Sequence, residues 1–297
     1  MSASSVQVVP FASRPSIYYT LSKPDVTVLV VLTTFAGYCI GSGSPLNWLR
    51  LINTILGTTL VGIGTAALNQ YFERDADARM RRTANRPLPS GRITPAQVLR
   101  FGVVTIALGG IYLAVFANAL ACALALATTA LYLGVYTPLK QRTPMATAIG
   151  AIPGAIPPLI GWAAATGKLS PGAWILFGVL FLWQFPHFFA IAWMYREDYS
   201  RAGIQMLPVV DPTGDSTFRQ IVVAAALLIP VSLLPVALGM ASPGYFFAAV
   251  VIGMLLLQVC LWASRSRTNT RARWLMHATV IHIPLLMGWM VFDKFTR

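Results

Sequence analysis

The sequence predicts an all-α, polytopic membrane protein whose nine transmembrane helices pack as one bundle. Composition is the first indication: of 297 residues, 56% are hydrophobic and 10% are charged, whereas soluble domains carry about 25% charged residues. The second is that several apolar runs are long enough to cross a hydrocarbon core of about 30 Å as a helix. Runs such as LACALALATTALYLGVY do not alternate in polarity, so they are not typical of a transmembrane barrel.

Each predicted span is an apolar run bounded by polar or Gly/Pro/Ser-rich turns. Because lipid offers no hydrogen bonds, the backbone of each span must satisfy itself as a helix. In chain order the spans cover residues 24–41, 48–70, 97–116, 120–136, 145–165, 171–194, 220–240, 243–263 and 274–292. No linker or composition shift separates them. We therefore expect an N-terminal segment over residues 1–23 and a single transmembrane domain over residues 24–297.

Lysine and arginine are distributed unequally between the two sides of this bundle. With nine spans, the N-terminus and the loops after spans two, four, six and eight share one side, which holds about 18 of the 22 basic residues. The positive-inside rule assigns that side to the cytoplasm. We expect a cytoplasmic N-terminus and a multi-pass protein of the cell (inner) membrane. The net charge of +13 then reflects topology and affinity for anionic lipid, and the scattered basic loops argue against a nucleic-acid partner.

Acidic residues are concentrated on the same side. Seven of the nine acids lie in the loops after spans two and six. In the first loop Asn69, Glu73 and Asp77 have the spacing i, i+4 and i+8, so they share one stripe if the second helix continues past residue 70. Three oxygen donors one turn apart suit Mg²⁺, which commonly bridges carboxylates to substrate phosphates.

Arginines surround this stripe and could bind phosphate in bidentate fashion. They are Arg74, Arg79, Arg81, Arg82, Arg86 and Arg92. The competing interpretation is that the acids only pair with these arginines on a solvated loop. The scarcity of acids elsewhere in the chain favours a diphosphate site.

The loop after span six offers a second acid, Asp198, between Tyr195 and Tyr199. Its neighbour Glu197 would point about 100° away on a helix, so we expect only one of the two to reach the site, and we select Asp198. The alternative is a belt of interfacial tyrosines with ordinary charges at the membrane rim.

Five segments of the chain resemble the UbiA-type intramembrane prenyltransferases, and more narrowly the members of that family that modify haem. They occur in order over about residues 20–295, and they read NQYFERDADARMRRTANRPLPSG, YTPLKQRTP, AIPPLIGWAAATG, WQFPHFFAIAWMYREDY and AGIQMLPVV. The resemblance implies nine helices around a central cavity, with two acidic motifs at its cytoplasmic mouth. It also implies transfer of farnesyl from farnesyl diphosphate to a vinyl group of haem B, with addition of water and release of diphosphate, to give haem O.

The resemblance assigns roles to individual residues. The first motif falls on Asn69, Glu73 and Asp77, and the second on Asp198, which together are expected to be the catalytic Mg²⁺ ligands. The expected diphosphate contacts are Arg82, Arg86, Lys140 and Arg142. Three departures from the family pattern are Glu73 for the commoner Asp, Ala202 for a second Asp and Gln205 for a frequent Pro.

Three residues near the end of span six are candidates for contacts with haem or the prenyl chain: Trp183, His187 and Tyr195. Ionisable side chains within a membrane usually have a function, and imidazole is a common ligand of haem iron. The rival interpretation of His187 is a hydrogen bond to the backbone that Pro186 kinks.

Other functions stay open at this point. An aromatic quinone precursor or chlorophyllide could replace haem as the acceptor without changing the acidic motifs. A membrane transporter is a rival of another class, since glycines and prolines interrupt span five as in many transporters. Beyond the two substrates and the lipid bilayer, the resemblance suggests haem A synthase or a terminal oxidase as assembly partners.

Overall fold

The computed structural model describes residues 14–297, so residues 1–13 of the expected N-terminal segment lie outside the described residues. The described chain is helical and contains no strand. Its helices are α1 (Arg14–Leu21), α2 (Pro24–Gly41), α3 (Trp48–Arg79), α4 (Pro95–Phe116), α5 (Ala119–Ala130), a π-helical turn (Leu131–Tyr136), α6 (Thr137–Leu139), α7 (Ala146–Gly154), α8 (Pro157–Thr166), α9 (Pro171–Met194), α10 (Arg196–Arg201), α11 (Leu207–Val210), α12 (Asp215–Ala237), α13 (Pro243–Arg265) and α14 (Asn269–Thr296).

Nine helical segments within residues 14–297 are long and apolar enough to cross a membrane, which confirms the predicted class and the number of spans. α5, the π-helical turn and α6 form one span, and α7 with α8 forms another. The predicted ends of the first and sixth spans coincide with those of α2 and α9.

Other predicted ends were wrong where a helix continues beyond its apolar part. α3 runs nine residues past the predicted end at residue 70, and α12 begins at Asp215 rather than at residue 220. α14 likewise begins at Asn269, before the predicted start at residue 274. Hydropathy detects only the part of a helix that lies in lipid, so charged helix ends at the membrane surface escape it.

Most of the long helices begin where the sequence provides a proline or a capping side chain. Proline occupies the first turn of α2, α4, α8, α9 and α13, where its missing N–H is not needed. Thr94 and Gln97 form a capping box at the start of α4. The side chains of Asn47 and Asn118 accept hydrogen bonds from the first turns of α3 and α5. These caps satisfy donors that would otherwise have no partner.

Glycines allow the backbones of two pairs of helices to come into direct contact. A Cβ on Gly161 in α8 would lie 1.9 Å from the carbonyl oxygen of Thr34 in α2. A Cβ on Gly64 in α3 would lie 2.6 Å from the carbonyl oxygen of Gly102 in α4. Such small-residue contacts are typical of helices that associate in lipid. They fix α2 against α8 and α3 against α4.

The predicted break in the fifth span separates α7 from α8, around residues 155 and 156. The backbone N–H of Ala155 bonds to Ile152 rather than to Ala151, which leaves the Ala151 carbonyl available. The buried Gln184 of α9 donates its side-chain N–H to this carbonyl at 2.9 Å. A side chain from a neighbouring helix thus satisfies the backbone that the break exposes, as helices in lipid require.

Candidate active site

The acidic stripe lies on the last turns of α3, because this helix continues to Arg79. Asn69, Glu73 and Asp77 have exposed fractions of 1%, 5% and 0%, so they do not lie on a solvated loop. The side-chain amide of Asn69 donates to Oε1 of Glu73 at 2.5 Å. Two carboxylates and an amide are therefore buried on one face of one helix, where burial is costly unless each charge is paired.

Three cations from separate parts of the chain meet this stripe. Nζ of Lys140 lies 2.5 Å from Oε1 of Glu73, and a guanidinium nitrogen of Arg86 lies 2.6 Å from Oδ2 of Asp77. Nζ of Lys23 donates to Oδ1 of Asn69 at 2.6 Å. Three positive side chains thus face two carboxylates. This excess of positive charge suits a polyanion such as a diphosphate.

Lys23 is the site residue that sequence reasoning missed, because it was assigned only to membrane topology. It lies between α1 and α2 with φ = 44°, a left-handed conformation that is unfavourable for a residue with a Cβ. α1 is held nearby because Leu21 is buried and its carbonyl accepts a bond from Gln70 of α3 at 3.0 Å. Burial, followed by the charge of Arg86, lowers the pKa of Lys23 to about 8, while Glu73 acts in the opposite direction.

Asp198 connects the two acidic loops through backbone hydrogen bonds. This residue of α10 is buried, and it accepts the N–H groups of Arg81 and Arg82 at 3.2 and 3.3 Å. It also pairs with Arg201, whereas Glu197 is exposed. Burial alone would raise the pKa of Asp198, but the bonds from Arg201 and the two backbone donors hold it below its usual range.

Two further bonds fix the loops around the stripe. The hydroxyl of Thr83 donates to the carbonyl of Asp77 at 2.9 Å. The backbone N–H of Gln205 donates to the carbonyl of Lys140 at 3.0 Å. The loops after spans two, four and six are therefore bonded to one another, and they hold Arg86, Lys140 and Asp198 at the same end of the bundle.

The two remaining residues that are predicted to contact the diphosphate, Arg82 and Arg142, lie in different environments. The guanidinium of Arg82 lies 4.8 Å from the centre of the Tyr195 ring, which is within the range of a cation–π contact. Arg142 is exposed, and within residues 14–297 its side chain forms no ion pair or hydrogen bond. A role of Arg142 in binding phosphate stays a prediction.

A small cavity of about 40 Å³ lies among aromatic side chains in the bundle. It is lined by Tyr132, Tyr136, Thr147, Gly150, Phe188 and Met206. The π-helical turn contributes both tyrosines, whose ring centres are 5.2 Å apart; such turns occur often at functional sites. A Cβ on Gly150 would lie 2.5 Å from the Tyr136 ring. The glycine therefore makes room for this wall of the cavity.

Trp183 and His187 face α14. Trp183 is buried and donates its indole N–H to the Thr279 carbonyl at 2.7 Å. The partly buried ring of His187 lies 2.9 Å from the Thr279 hydroxyl through Nδ1. Within the described chain His187 thus bonds to a side chain of another helix rather than to the backbone of its own helix around Pro186.

The oxygen donors of the stripe are compatible with a divalent metal ion. Oδ1 of Asp77 is buried and has no hydrogen-bond partner among the described residues, and amide and carboxylate oxygens are the donors that Mg²⁺ prefers. Asp198 lies in the loop after span six and not on the stripe of α3. Its oxygens accept hydrogen bonds from N–H groups. In residues 14–297 no three His, Cys, Asp or Glu side chains form one metal-binding group.

Nine candidate spans within residues 14–297, with buried acids and paired cations at one end, define an intramembrane site for an anionic substrate. A model of the UbiA prenyltransferase family matches residues 30–291. The chain belongs to this family.

Individual proteins of known identity or structure are also similar. A protoheme IX farnesyltransferase of Solibacter usitatus is 48% identical over 286 residues, covering 93% of this chain and 98% of the relative. A digeranylgeranylglyceryl phosphate synthase structure has a TM-score of 0.78 and 17% identity, covering 96% of this chain and 100% of the other. A UbiA homologue of Archaeoglobus fulgidus bound to GPP and Mg²⁺ has a TM-score of 0.64 and 15% identity, covering 93% and 99%. These two structures confirm the fold.

Asp198→Ala is expected to loosen the loop after α3, because the N–H groups of Arg81 and Arg82 lose their acceptor. A hydrogen bond to a charged group contributes about 1.5–3 kcal/mol, so its loss corresponds to roughly a tenfold or greater rise in the rate of amide exchange. Hydrogen–deuterium exchange of the detergent-purified protein would measure it. Glu197→Ala, which removes the exposed neighbouring acid, is the matched control. Unchanged exchange at residues 81 and 82 in Asp198→Ala would contradict the proposed anchor.

Proposed function

We propose that this protein transfers the farnesyl group of farnesyl diphosphate to a vinyl group of haem B, giving haem O. The observation that carries this proposal is 48% identity, over 93% of the chain, to a protoheme IX farnesyltransferase. The buried acids with their surrounding cations support the diphosphate half of the reaction. The aromatic cavity supports the prenyl half.

The cations have a direct role in the bond-breaking step. When the C–O bond of farnesyl diphosphate breaks, both electrons leave with the diphosphate, and its negative charge grows. Preorganised positive groups stabilise such a transition state more than the ground state. Lys23, Lys140 and Arg86 already contact Asn69, Glu73 and Asp77 along the stripe. We assign them, with Arg82 and Arg142, to the binding of the diphosphate oxygens.

Asn69, Glu73, Asp77 and Asp198 are proposed to hold Mg²⁺. Their donor chemistry and the unpartnered Oδ1 of Asp77 support this assignment, as does the Mg²⁺ in the Archaeoglobus fulgidus homologue. Bound Mg²⁺ supplies further neutralisation of the leaving group. Glu73 and Asp77 would be available to hold the metal once the diphosphate accepts the bonds that Lys140 and Arg86 now make to them.

The aromatic residues protect the allylic cation that remains. A new C–C bond forms when the electron pair of the haem vinyl group attacks the terminal carbon of this cation. The charge passes to the porphyrin side chain, where the oxygen of a water molecule adds and releases one proton. Tyr132, Tyr136 and Phe188 line the cavity, and their π faces can stabilise a cation. Premature capture by water would instead give farnesol.

The bias of basic residues supports a site that opens on the cytoplasmic side of the cell membrane. Lys23, Lys140, Asp198 and the stripe of α3 share this end of the bundle. The site therefore lies where a soluble diphosphate can be released into the cytosol. We further propose that haem A synthase or a terminal oxidase receives the product.

Analysis of the haem product tests this function. Membranes that contain the protein are incubated with haem B, farnesyl diphosphate and Mg²⁺, and the haem is identified by mass. We expect haem B to gain one farnesyl group and one hydroxyl group. Diphosphate release with unmodified haem would indicate another acceptor, such as a quinone precursor. Unchanged farnesyl diphosphate and haem would contradict a prenyltransferase and favour the transporter alternative.

Asp77→Asn is expected to lower farnesyl transfer by about 100-fold or more, since removing one transition-state contact has this order of effect. The amide keeps the shape of the side chain but loses the charge that Mg²⁺ binding needs. Haem O formation is compared at equal amounts of membrane-inserted protein, with Asp75→Asn as the control because Asp75 is exposed. Normal activity of Asp77→Asn at ordinary Mg²⁺ concentrations would refute the assignment.

Lys23→Met is expected to raise the KM for farnesyl diphosphate by roughly tenfold or more, the size of one charge-assisted hydrogen bond. Methionine retains the apolar stem of lysine and removes only its ammonium group. Lys168→Met is the matched control, because Lys168 is exposed in the turn between α8 and α9. If the two variants have the same KM, Lys23 does not contact the diphosphate.

A further inference from the structure

Thr279 of α14 makes two kinds of contact with α9. Its carbonyl accepts the indole N–H of Trp183, and its hydroxyl oxygen lies 2.9 Å from Nδ1 of His187. Trp183 and His187 are one helical turn apart, and their rings stack with centres 4.7 Å apart at 15°. Because Thr279 is fully buried, water does not compete for these bonds. One residue thus orients both rings.

The position of one proton decides the tautomer of His187. A threonine hydroxyl has a single proton to donate, and the oxygen of Thr279 lies 2.6 Å from the carbonyl of Met276. A carbonyl can only accept, so this proton is directed to Met276. The hydroxyl oxygen then acts as the acceptor for His187, and Nδ1 must carry the hydrogen.

We propose that Thr279 holds His187 as the Nδ1–H tautomer, so that the Nε2 lone pair of His187 binds the iron of the haem substrate. This inference rests on the proposed function, because it takes haem B as the acceptor. Neutral imidazole binds metals through the nitrogen that carries no proton, and the bond made by the other nitrogen determines which one that is. Within residues 14–297, Nε2 of His187 forms no hydrogen bond, so its lone pair is not used by the fold.

The location of His187 is consistent with binding haem next to the cleaved diphosphate. His187 precedes the end of α9 at Met194 by seven residues, which corresponds to about 10 Å along the helix axis. Its neighbour Phe188 lines the aromatic cavity. Iron bound to His187 would therefore lie inside the membrane-spanning part of α9, next to a residue that lines the aromatic cavity. Thr279 is then a positioning residue that acts through His187.

Titration with ferric haem B tests this inference. The detergent-purified full-length protein is titrated, and the Soret band is recorded. We expect wild type to give the spectrum of imidazole-ligated haem and His187→Ala to lose it. Thr279→Val removes the hydroxyl at nearly constant volume, and it should weaken haem affinity by about tenfold or more, as losses of bonds to metal-binding histidines do. Thr279→Ser, which keeps the hydroxyl, should restore wild-type binding.

Thr54→Val is the matched control, since Thr54 is also buried and bonds only to the Arg50 carbonyl of its own helix. If Thr279→Val and Thr54→Val bind haem with wild-type affinity and spectrum, Thr279 has no positioning role. If wild type forms haem O while His187→Ala keeps the wild-type haem spectrum, ligation by His187 is refuted and the proposed function stands. Absence of haem O in wild type would refute the function itself, while the spectra still report on ligation.

Discussion

The burial of Glu73 and Asp77 at the end of α3 is the constraint on which the site depends. Two carboxylates out of water are stable only when opposite charges reach them. Those charges come from the turn before α2, the loop after α3 and the segment after α6. Because Lys23 and Lys140 are distant from α3 in the chain, the bundle must close correctly before the acids are fully compensated. The same arrangement collects positive charge where an anionic substrate binds.

Below this polar end, the interior is apolar and tightly packed. The aromatic cavity measures about 40 Å³, whereas sites for small molecules usually measure about 300–1,000 Å³. The farnesyl chain and porphyrin of the proposed reaction would therefore require side chains or helices to move apart. The π-helical turn that carries Tyr132 and Tyr136, and the break between α7 and α8, are the irregular elements beside this cavity. By contrast, α13 has no proline beyond its first turn.

Much of this arrangement could be predicted from the sequence because it follows from local rules. Apolar runs gave the number of spans, and the spacing of Asn69, Glu73 and Asp77 placed them on one face once α3 was long enough. Lys23 was missed because its contact depends on how α1 packs against α3, which no local pattern encodes. The role of Asp198 as an acceptor for backbone N–H groups could not be predicted either. Every residue except proline carries such a donor, so the sequence does not indicate which donors it binds. Thr279 lies in an apolar span with no motif around it.

The way in which Asp198 binds the loop after α3 has a consequence for variation in this family. The carboxylate oxygens of Asp198 accept hydrogen bonds from the main-chain N–H groups of residues 81 and 82. They do not bond to the arginine side chains at these two positions. The junction between the acidic loops therefore requires no particular side chain at either position, and Arg82 is constrained separately by its proposed contact with the diphosphate. Proline is the single exception, because it has no N–H to offer. The junction thus constrains the backbone at these positions, whereas any constraint on the side chains comes from the substrate.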